Sequence, residues 1–345
     1  MVDPAVQATR FDALDHEHAS HLCCSKEIGM SKIAIVIPYF GKLPAVADYF
    51  FASAGHAQDL DVLLFTDAAP SANVPSNVKV HAFTTAGFND LASRQLGIPI
   101  QVSSPYKLCD FRPAYGVIFQ EYLGDYEFWG FGDVDVIYGD VARVLGPILA
   151  GHDIISCRKG WTSGAFCILR NSPTVNSAYR CSADWARALA ARDYQFFDEL
   201  GGRLFNVAQD GTDVGTHRGN VEAFTQVAKR LQRDGLLRCS FQDLVCEDLD
   251  WGESLVFDQG RITRCRDGAD VLCVHTVKMK RRFFYLPSTE IDRGRFFIRK
   301  TGIYPAGQPT TSRFIEEVGR ILRGGSSCLG RLLRRRVSWA PSGGG

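Results

Sequence analysis

Two carboxylates with one residue between them, Asp133 and Asp135, follow the apolar run 128–132. In an extended segment, residues i and i+2 project to the same side, so we expect both to point together from the end of a buried strand. Two neighbouring like charges are costly to bury unless a cation or hydrogen bonds compensate for them. Carboxylate oxygens suit Mg²⁺ and Mn²⁺, which keep coordination positions open for substrate phosphates. The motif therefore predicts a metal site for a phosphorylated ligand, with a purely structural Asp pair as the alternative.

Two further segments contain residues suited to chemistry. Asp198 and Glu199 follow two phenylalanines, a setting that suits a carboxylate at the rim of a pocket; a helix cap is the alternative. Gly164, between Ser163 and Ala165, allows a close approach of the backbone to a ligand, although an ordinary turn glycine would have the same sequence.

Alternating strands and helices are predicted to position these groups. Apolar runs predict strands at 32–37, 62–65, 78–83, 128–132, 153–156, 161–170 and 271–275, and helical spacing predicts helices at 44–54, 113–123 and 174–192. This order predicts an α/β, Rossmann-like fold with a mainly parallel central sheet flanked by helices. Ligands of such sheets bind at the carboxyl ends of the strands, where Tyr39, Asp67 and the Asp133/Asp135 pair are expected.

The composition is that of an ordinary globular protein. The chain has 345 residues, 46% hydrophobic and 22% charged, with a net charge of +1, which gives no support to nucleic-acid binding. Its 11 cysteines form no C-x-x-C pair and lie mostly in apolar segments, which indicates reduced thiols in a cytoplasmic protein. No apolar run approaches the ~20 residues of a membrane-spanning helix, and the N-terminus lacks a secretory signal pattern.

The two ends differ from the centre. Residues 1–30 are polar and contain several histidines, which predicts a poorly ordered extension, whereas 31–285 form the expected catalytic domain. Within the C-terminal extension 286–345, residues 312–323 predict an amphipathic helix, and 329–339 combine arginines with leucines. This basic and apolar tail suits peripheral contact with an anionic membrane surface, on the inner face of the cell membrane; a solvated tail helix that packs on the domain is the alternative.

Several segments carry a resemblance to a known family. The longer ones are 35–42 (IVIPYFGK), 64–67 (LFTD), 105–116 (PYKLCDFRPAYG) and 128–140 (FWGFGDVDVIYGD), and shorter ones follow in order at 163–165, 169–171, 197–199 and 275–278. This set resembles nucleotide-sugar-dependent glycosyltransferases of the GT-A fold. It is most similar to a bacterial family, long of unknown function, from capsule and surface-polysaccharide gene clusters. The resemblance covers roughly residues 31–285, and its two long segments are the most specific.

The resemblance implies roles for individual residues. It implies nucleotide or donor binding by Pro38, Tyr39, Asp67, Lys107, Asp110, Arg112, Asp133, Ser163, Gly164 and Lys278. It implies that Asp133 and Asp135, completed by His275, hold Mn²⁺ or Mg²⁺, and that Asp198 or Glu199 lies beside the acceptor. An inverting enzyme would need such a carboxylate as the base for the acceptor hydroxyl, whereas a retaining enzyme would not.

The expected function is therefore a metal-dependent transfer of a sugar from a nucleotide-diphosphate donor, a UDP-sugar first of all, to a hydroxyl of a surface glycan or lipid-linked glycan. Capsule, lipopolysaccharide and exopolysaccharide are the acceptor classes that the resemblance implies. Two alternatives stay open. Haloacid-dehalogenase-like phosphatases also carry Asp-x-Asp after an apolar strand, although usually after their first strand. A non-catalytic nucleotide-sugar-binding protein would keep the nucleotide contacts without needing Asp198 and Glu199.

Overall fold

The structure, a computed structural model, describes residues 32–69, 73–202, 204–209, 212–217, 219–281 and 291–306. The strands are β1 Ile33–Tyr39, β2 Leu60–Thr66, β3 Val78–Ala82, β4 Phe128–Gly132, β5 Val136–Tyr138, β6 Ile154–Ser156, β7 Phe166–Arg170, β8 Cys239–Phe241, β9 Val245–Cys246, β10 Ser254–Asp258, β11 Arg261–Arg264, β12 Cys273–His275, β13 Arg295–Arg299 and β14 Gly302–Pro305. The helices are Ala47–Ala54, Thr85–Leu96, Tyr115–Ile118, Val141–Leu149, Pro173–Ser177, Trp185–Ala190, Phe205–Gln209 and Phe224–Arg233. Short 3₁₀ helices span Pro105–Ala114, Gln120–Tyr122, Ala178–Cys181 and Val214–Thr216.

A central sheet has the strand order β3-β2-β1-β4-β7-β6-β8. Its pairs are parallel except at β7, which runs antiparallel to both β4 and β6. Helices flank this sheet, so the prediction of an α/β fold with a mainly parallel, Rossmann-like sheet is confirmed.

Alternation along β1 places the sheet between two apolar layers. Ala34 and Val36 contribute to one buried cluster, whereas Ile33, Ile35 and Ile37 contribute to another. Successive strand residues point to opposite faces, so a strand buried on both faces is apolar throughout. This is why the first predicted strand appears as a continuous apolar run in the sequence.

The strand order reverses direction beside β1. From β1 the chain proceeds outward to β2 and β3, and then returns to place β4 on the other side of β1. Connections that leave neighbouring strands in opposite directions open a crevice at their carboxyl ends, which is where ligands of open α/β sheets bind. The carboxyl ends of β1 and β4 lie at Tyr39 and Gly132, so the reversal brings these two ends together.

Two smaller sheets accompany the central one. A three-stranded sheet has the order β5-β12-β9, and a four-stranded antiparallel sheet has the order β11-β10-β13-β14. The second was not predicted. Because β13 pairs with β10, the folded part continues beyond residue 285, where the sequence had suggested the start of an extension.

Two predicted helices were wrong in extent. The segment 113–123 is divided among a 3₁₀ helix, one α-helical turn and a second 3₁₀ turn, and Pro113, which has no N–H to donate, lies inside the first. The segment 174–192 is interrupted at Ser182, whose backbone is extended. The Ser182 hydroxyl donates to the Glu222 carbonyl at 2.6 Å and accepts from the Asp184 N–H, contacts that compete with a helix.

No helix among the described residues is long and apolar enough to cross a membrane. The described cysteines are all free thiols. The predictions for residues 1–30 and for the basic tail 312–339 lie outside the described residues.

Candidate functional site

A cleft of about 440 Å³ opens at the carboxyl ends of β1 and β4, at the reversal of the strand order. The predicted site residues that line it are Pro38, Tyr39, Arg112, Asp133, Asp135, Gly164, Glu199 and His275. Tyr106, Cys109, Tyr194 and Lys280 also line it. The structure thus brings together residues from segments that are far apart in the sequence, at the place where an open α/β sheet binds its ligand.

Asp133 and Asp135 lie in a turn between β4 and β5. The prediction that they continue an extended strand was therefore wrong. The turn is closed by the Val136 N–H, which donates to the Asp133 carbonyl at 3.2 Å. Both carboxylates nevertheless face one imidazole. His275 Nε2 lies 3.7 Å from Asp133 Oδ2 and 3.6 Å from Asp135 Oδ1. One potential ligand atom from each of these residues lies within 4.8 Å of the other two.

This cluster fits a divalent cation by its donor set. Two carboxylate oxygens and one neutral imidazole nitrogen are ordinary ligands of Mn²⁺ and related ions, and carboxylates alone suit Mg²⁺. Asp133 is partly exposed, whereas Asp135 and His275 are largely buried, and all three residues line the cleft. Asp133, Asp135 and His275 therefore form a cluster that could hold a divalent metal ion.

Two cations face the carboxylates. Lys280 Nζ donates to Asp135 Oδ2, and Arg112 Nη2 donates to Asp133 Oδ1. Burial by itself would raise the pKa of Asp135, but the contacts with His275 and Lys280 outweigh it and hold the pKa below its ordinary value. Burial likewise opposes protonation of His275, but the adjacent Asp135 and Glu247 carboxylates raise its pKa to about 10. The carboxylate of Asp135 is thus stabilised by the positively charged groups around it.

Arg112 connects the metal cluster to the acidic pair. Its Nη1 donates to Asp198 Oδ2 at 2.8 Å while its Nη2 reaches Asp133. The space for this guanidinium exists because residue 164 is glycine: a Cβ there would lie 2.2 Å from Arg112 Nη1. The close approach at Gly164 is thus to a side chain of the protein itself, and the predicted approach to a ligand stays a prediction.

The structure distinguishes between Asp198 and Glu199. Asp198 is fully buried, and its carboxylate accepts from Arg112 and, at 2.9 Å, from the Tyr194 hydroxyl. Burial raises its pKa to about 8, with Arg112 opposing the shift. Glu199 lines the cleft, and its Oε1 accepts from the Gly164 N–H at 2.7 Å. Of the two acids, Glu199 is the one placed to meet a ligand.

A strained residue precedes this pair. Phe196 has φ of +57°, in the left-handed region that non-glycine residues rarely adopt, and its side chain is 36% exposed. The centroid of its ring lies 4.1 Å from that of Tyr194, which lines the cleft, and 5.9 Å from that of Phe205. The ring of Phe205 in turn contacts that of Trp161. Tyr194, Phe196, Phe205 and Trp161 form what we call the aromatic surface. Backbone strain and an exposed aromatic ring therefore coincide at Phe196, next to Tyr194 of the cleft lining.

Lys107 and Asp110 do not line the cleft. Both are fully buried and joined by a 2.9 Å ion pair. Asp110 accepts hydrogen bonds from the N–H groups of Gln195 and Phe197, and Lys107 donates to the Ala188 carbonyl. The observed role of this pair is to hold the loop that presents Phe196, Asp198 and Glu199, and nothing in the geometry gives either side chain direct contact with a donor.

Three other predicted donor-binding residues lie outside the cleft lining. Asp67 accepts from the Gly41 N–H at 2.7 Å and so secures the loop after β1, in a separate shallow depression. Ser163 is buried, and Lys278 pairs at 3.0 Å with Glu247. Lys280, two residues after Lys278, is the lysine that reaches the cleft.

Two contributors were missed from the sequence. Lys280 lies in the basic segment 278–282, in which nothing in the sequence distinguishes one lysine from the other. Glu247, which lies 3.7 Å from His275 Nδ1, carries no motif at all. Both acquire their positions through the pairing of short strands that lie far apart in sequence.

Comparison with curated proteins gives no match. A family model described as a family of unknown function (DUF6625) matches residues 35–303, which include every strand from β2 to β13 and all the residues of the metal cluster. The match covers most of the chain, and the protein therefore belongs to this family of unknown function, DUF6625.

Proposed function

We propose that this protein is a metal-dependent glycosyltransferase that moves a sugar from a nucleotide-diphosphate donor to an acceptor hydroxyl. The observation that carries the proposal is the cleft itself, in which the Asp133–Asp135–His275 cluster and the carboxylate of Glu199 share one space with Arg112. A cation site and a separate carboxylate are the two groups that this reaction needs when it inverts configuration.

The donor side is proposed at the metal cluster. Asp133, Asp135 and His275 would hold Mn²⁺ or Mg²⁺, which would supply Lewis-acid neutralisation of the diphosphate leaving group. Lys280 and Arg112 are placed to add positive charge at the same point, because both now contact the carboxylates of the cluster. Tyr39 and Pro38, at the end of β1, would contact the nucleoside. A UDP-sugar is the proposed donor class, which rests on the resemblance of the motifs and not on a contact in the structure.

The acceptor side is proposed at Glu199 and the aromatic surface. An acceptor hydroxyl is a weak nucleophile, and a carboxylate within hydrogen-bond reach can take its proton. Glu199 has one oxygen held by the Gly164 N–H, which fixes the orientation of the group. Burial raises the pKa of Glu199, which makes it a stronger base than an exposed glutamate. The exposed ring of Phe196 offers a flat apolar face on which a sugar ring can stack.

The fold supports this proposal at the level of a GT-A-like architecture. A Rossmann-like sheet with an Asp-x-Asp turn after its central strand β4 is the arrangement that the resemblance implies. A haloacid-dehalogenase-like phosphatase would place the pair after its first strand, whereas here β1 ends at Tyr39 without an acid. In addition, Asp133, which would be the nucleophile of a phosphatase, is engaged by Arg112. We therefore favour glycosyl transfer over phosphate hydrolysis.

The biological acceptor is proposed to be a surface glycan or a lipid-linked glycan, with the enzyme in the cytoplasm and its basic tail at the inner membrane face. This part of the proposal rests on the resemblance and on the sequence of residues 312–339.

A screen of nucleotide sugars tests the proposal. Purified protein is incubated with individual UDP-, GDP-, dTDP- and CMP-sugars, with Mn²⁺ or with EDTA, and release of the free nucleotide is measured. We expect slow hydrolysis of at least one donor with Mn²⁺, loss of this hydrolysis in EDTA, and loss in Asp135→Asn. Hydrolysis that persists in EDTA, or in Asp135→Asn, would contradict the metal role. Release of inorganic phosphate from sugar phosphates in place of nucleotide would favour the phosphatase.

A further inference from the structure

The three-stranded sheet β5-β12-β9 places one polar group from each strand at a common edge. Asp135 immediately precedes β5, His275 ends β12, and Glu247 immediately follows β9. The parallel register pairs Cys273 with Val245 and Val274 with Cys246. Continued by one residue, this register sets Glu247 beside His275.

The imidazole of His275 has a different neighbour at each nitrogen. Nε2 faces the two aspartates, at 3.7 and 3.6 Å. Nδ1 is buried and faces Glu247 Oε1 at 3.7 Å, just beyond hydrogen-bond length, and it has no hydrogen-bond partner among the residues that the structure describes. A metal-bound imidazole is neutral and carries one N–H, so a carboxylate at Nδ1 would leave the lone pair of Nε2 directed at the cluster.

Glu247 is itself held in place by two cations. Arg158 Nη2 lies 2.6 Å from Glu247 Oε2, and Lys278 Nζ lies 3.0 Å from the same oxygen. Both cations occupy Oε2, which leaves Oε1 for His275. The second oxygen is thereby fixed in orientation.

We propose that Glu247 is a positioning residue for the metal: it orients His275 and fixes the imidazole tautomer so that Nε2 binds the cation. This inference rests on the proposed metal role of Asp133, Asp135 and His275. Carboxylates that accept from the second nitrogen of a metal-bound imidazole commonly change metal affinity by 10- to 100-fold when they are removed. Glu247 has the location and the fixed orientation for that task, and it does not itself line the cleft.

The test measures binding of Mn²⁺ alone, by calorimetry and by electron paramagnetic resonance of the free ion, and so requires no substrate. Glu247→Gln keeps the shape and one acceptor oxygen but loses the charge, and we expect about 10- to 100-fold weaker Mn²⁺ binding. Asp243→Asn is the matched control: Asp243 lies 3.8 Å from the same Arg158, and accepts from the Lys159 N–H, but has no contact with His275. Its Mn²⁺ affinity should equal that of the wild type.

Thermal unfolding in EDTA separates positioning from general stability. The Glu247→Gln protein should unfold near the wild-type temperature without metal but gain less stability when Mn²⁺ is added. If this variant fails to fold, Glu247→Asp, which retracts the carboxylate from His275, serves in its place with the same expected direction. Wild-type Mn²⁺ affinity in a folded Glu247 variant would overturn the inference and leave the proposed function standing. Failure of the wild-type protein to bind Mn²⁺ or Mg²⁺ would overturn both.

Discussion

The backbone N–H of Gly164 donates a 2.7 Å hydrogen bond to Glu199 Oε1. The same glycine leaves room for the Arg112 guanidinium, which pairs with Asp133 on one side and Asp198 on the other. One residue without a side chain therefore sets the spacing between the proposed base and the metal cluster.

Gly164→Ala should disrupt this spacing. The added Cβ would lie 2.2 Å from Arg112 Nη1, so the guanidinium must move away from Asp133 or the loop must move away from Glu199. A displacement of about 1 Å in a catalytic site can cost ~10²-fold in rate, and we expect a loss of transfer of that order. Gly146→Ala is the control, because a Cβ at this helical position meets nothing within 4 Å. That variant should keep full activity. Equal activity of the two variants would contradict the argument.

Lys280 forms an ion pair with Asp135, one of the carboxylates that the metal is proposed to bind. Removal of its charge in Lys280→Met frees Asp135 from a competing cation, at a site where the lysine side chain is 40% exposed. At this exposure the interaction is worth about 1 kcal/mol, so Mn²⁺ binding without nucleotide should tighten by about fivefold. The affinity for a nucleoside diphosphate in the presence of Mn²⁺ should fall, because the same ammonium is proposed to meet the phosphates. Titration of Mn²⁺ and of UDP checks these opposite directions, and weaker binding of both ligands would refute the competition.

The two acids after Phe197 should respond differently to neutralisation. Glu199→Gln keeps the contact with Gly164 but loses the base, so we expect transfer to fall by ~10²–10⁴-fold while the Kd of the nucleotide sugar stays near that of the wild type. Asp198→Asn leaves Arg112 with one ionic partner fewer inside the protein, and its main effect should be a lower unfolding temperature. The comparison uses kcat, Kd and thermal unfolding of both variants. Normal turnover in Glu199→Gln would mean that the base lies elsewhere or that the enzyme retains configuration.

The pH dependence of transfer should follow the ionisation of Glu199. Burial raises the pKa of Glu199 above its ordinary value, with the Gly164 N–H and Arg112 opposing the shift. A general base acts in its deprotonated form, so the rate should fall as pH decreases through this raised pKa, and thus at a higher pH than for an exposed glutamate. A profile of kcat/KM against pH at saturating Mn²⁺ measures the position of this acidic limb. The limb should be absent from the residual activity of Glu199→Gln.

Local patterns predicted the parts of the fold that depend on neighbours in sequence. The apolar runs that became β1, β2 and β4 are buried on both faces, and such strands are recognisable without any partner. The Asp133/Asp135 pair was found in the same way, since its chemistry depends on spacing alone. The direction in which the carboxylates point was predicted correctly, but on the wrong ground, because a turn and not a strand orients them.

What escaped prediction depends on pairing between distant segments. Glu247 reaches His275 only because β9 pairs with β12, and no local pattern reports such a register. Lys107 and Asp110 show the opposite error. Their charges suggested ligand binding, but the structure pairs them with each other and with backbone groups of the 188–197 loop. Burial of a charge cannot be read from residue type, so a structural ion pair and a binding site look alike in sequence.

Phe196 allows a test that separates strain from function. At φ of +57°, every residue with a Cβ is disfavoured by about 1–2 kcal/mol, whereas glycine is not. We therefore expect Phe196→Gly to be more stable than Phe196→Ala by about 1 kcal/mol in urea unfolding, the reverse of the usual order. Tyr122 is the matched control, because its side chain is also 36% exposed, while its φ is not positive. There the alanine variant should be the more stable.

Both Phe196 variants should impair the acceptor side alike, since both remove the ring whose centroid lies 4.1 Å from that of Tyr194. Nucleotide-sugar hydrolysis, which needs no acceptor, should stay near wild type, whereas transfer should require a higher acceptor concentration. Loss of an aromatic contact of this kind costs ~0.5–1.5 kcal/mol, so the KM for the acceptor should rise by roughly two- to thirteenfold. If the glycine variant is the more stable of the two and transfers as well as wild type, the conformation of residue 196 matters only for the course of the loop backbone, and the Phe196 ring has no role in acceptor binding. A rise in KM without any effect on donor hydrolysis would instead assign the aromatic surface to the acceptor.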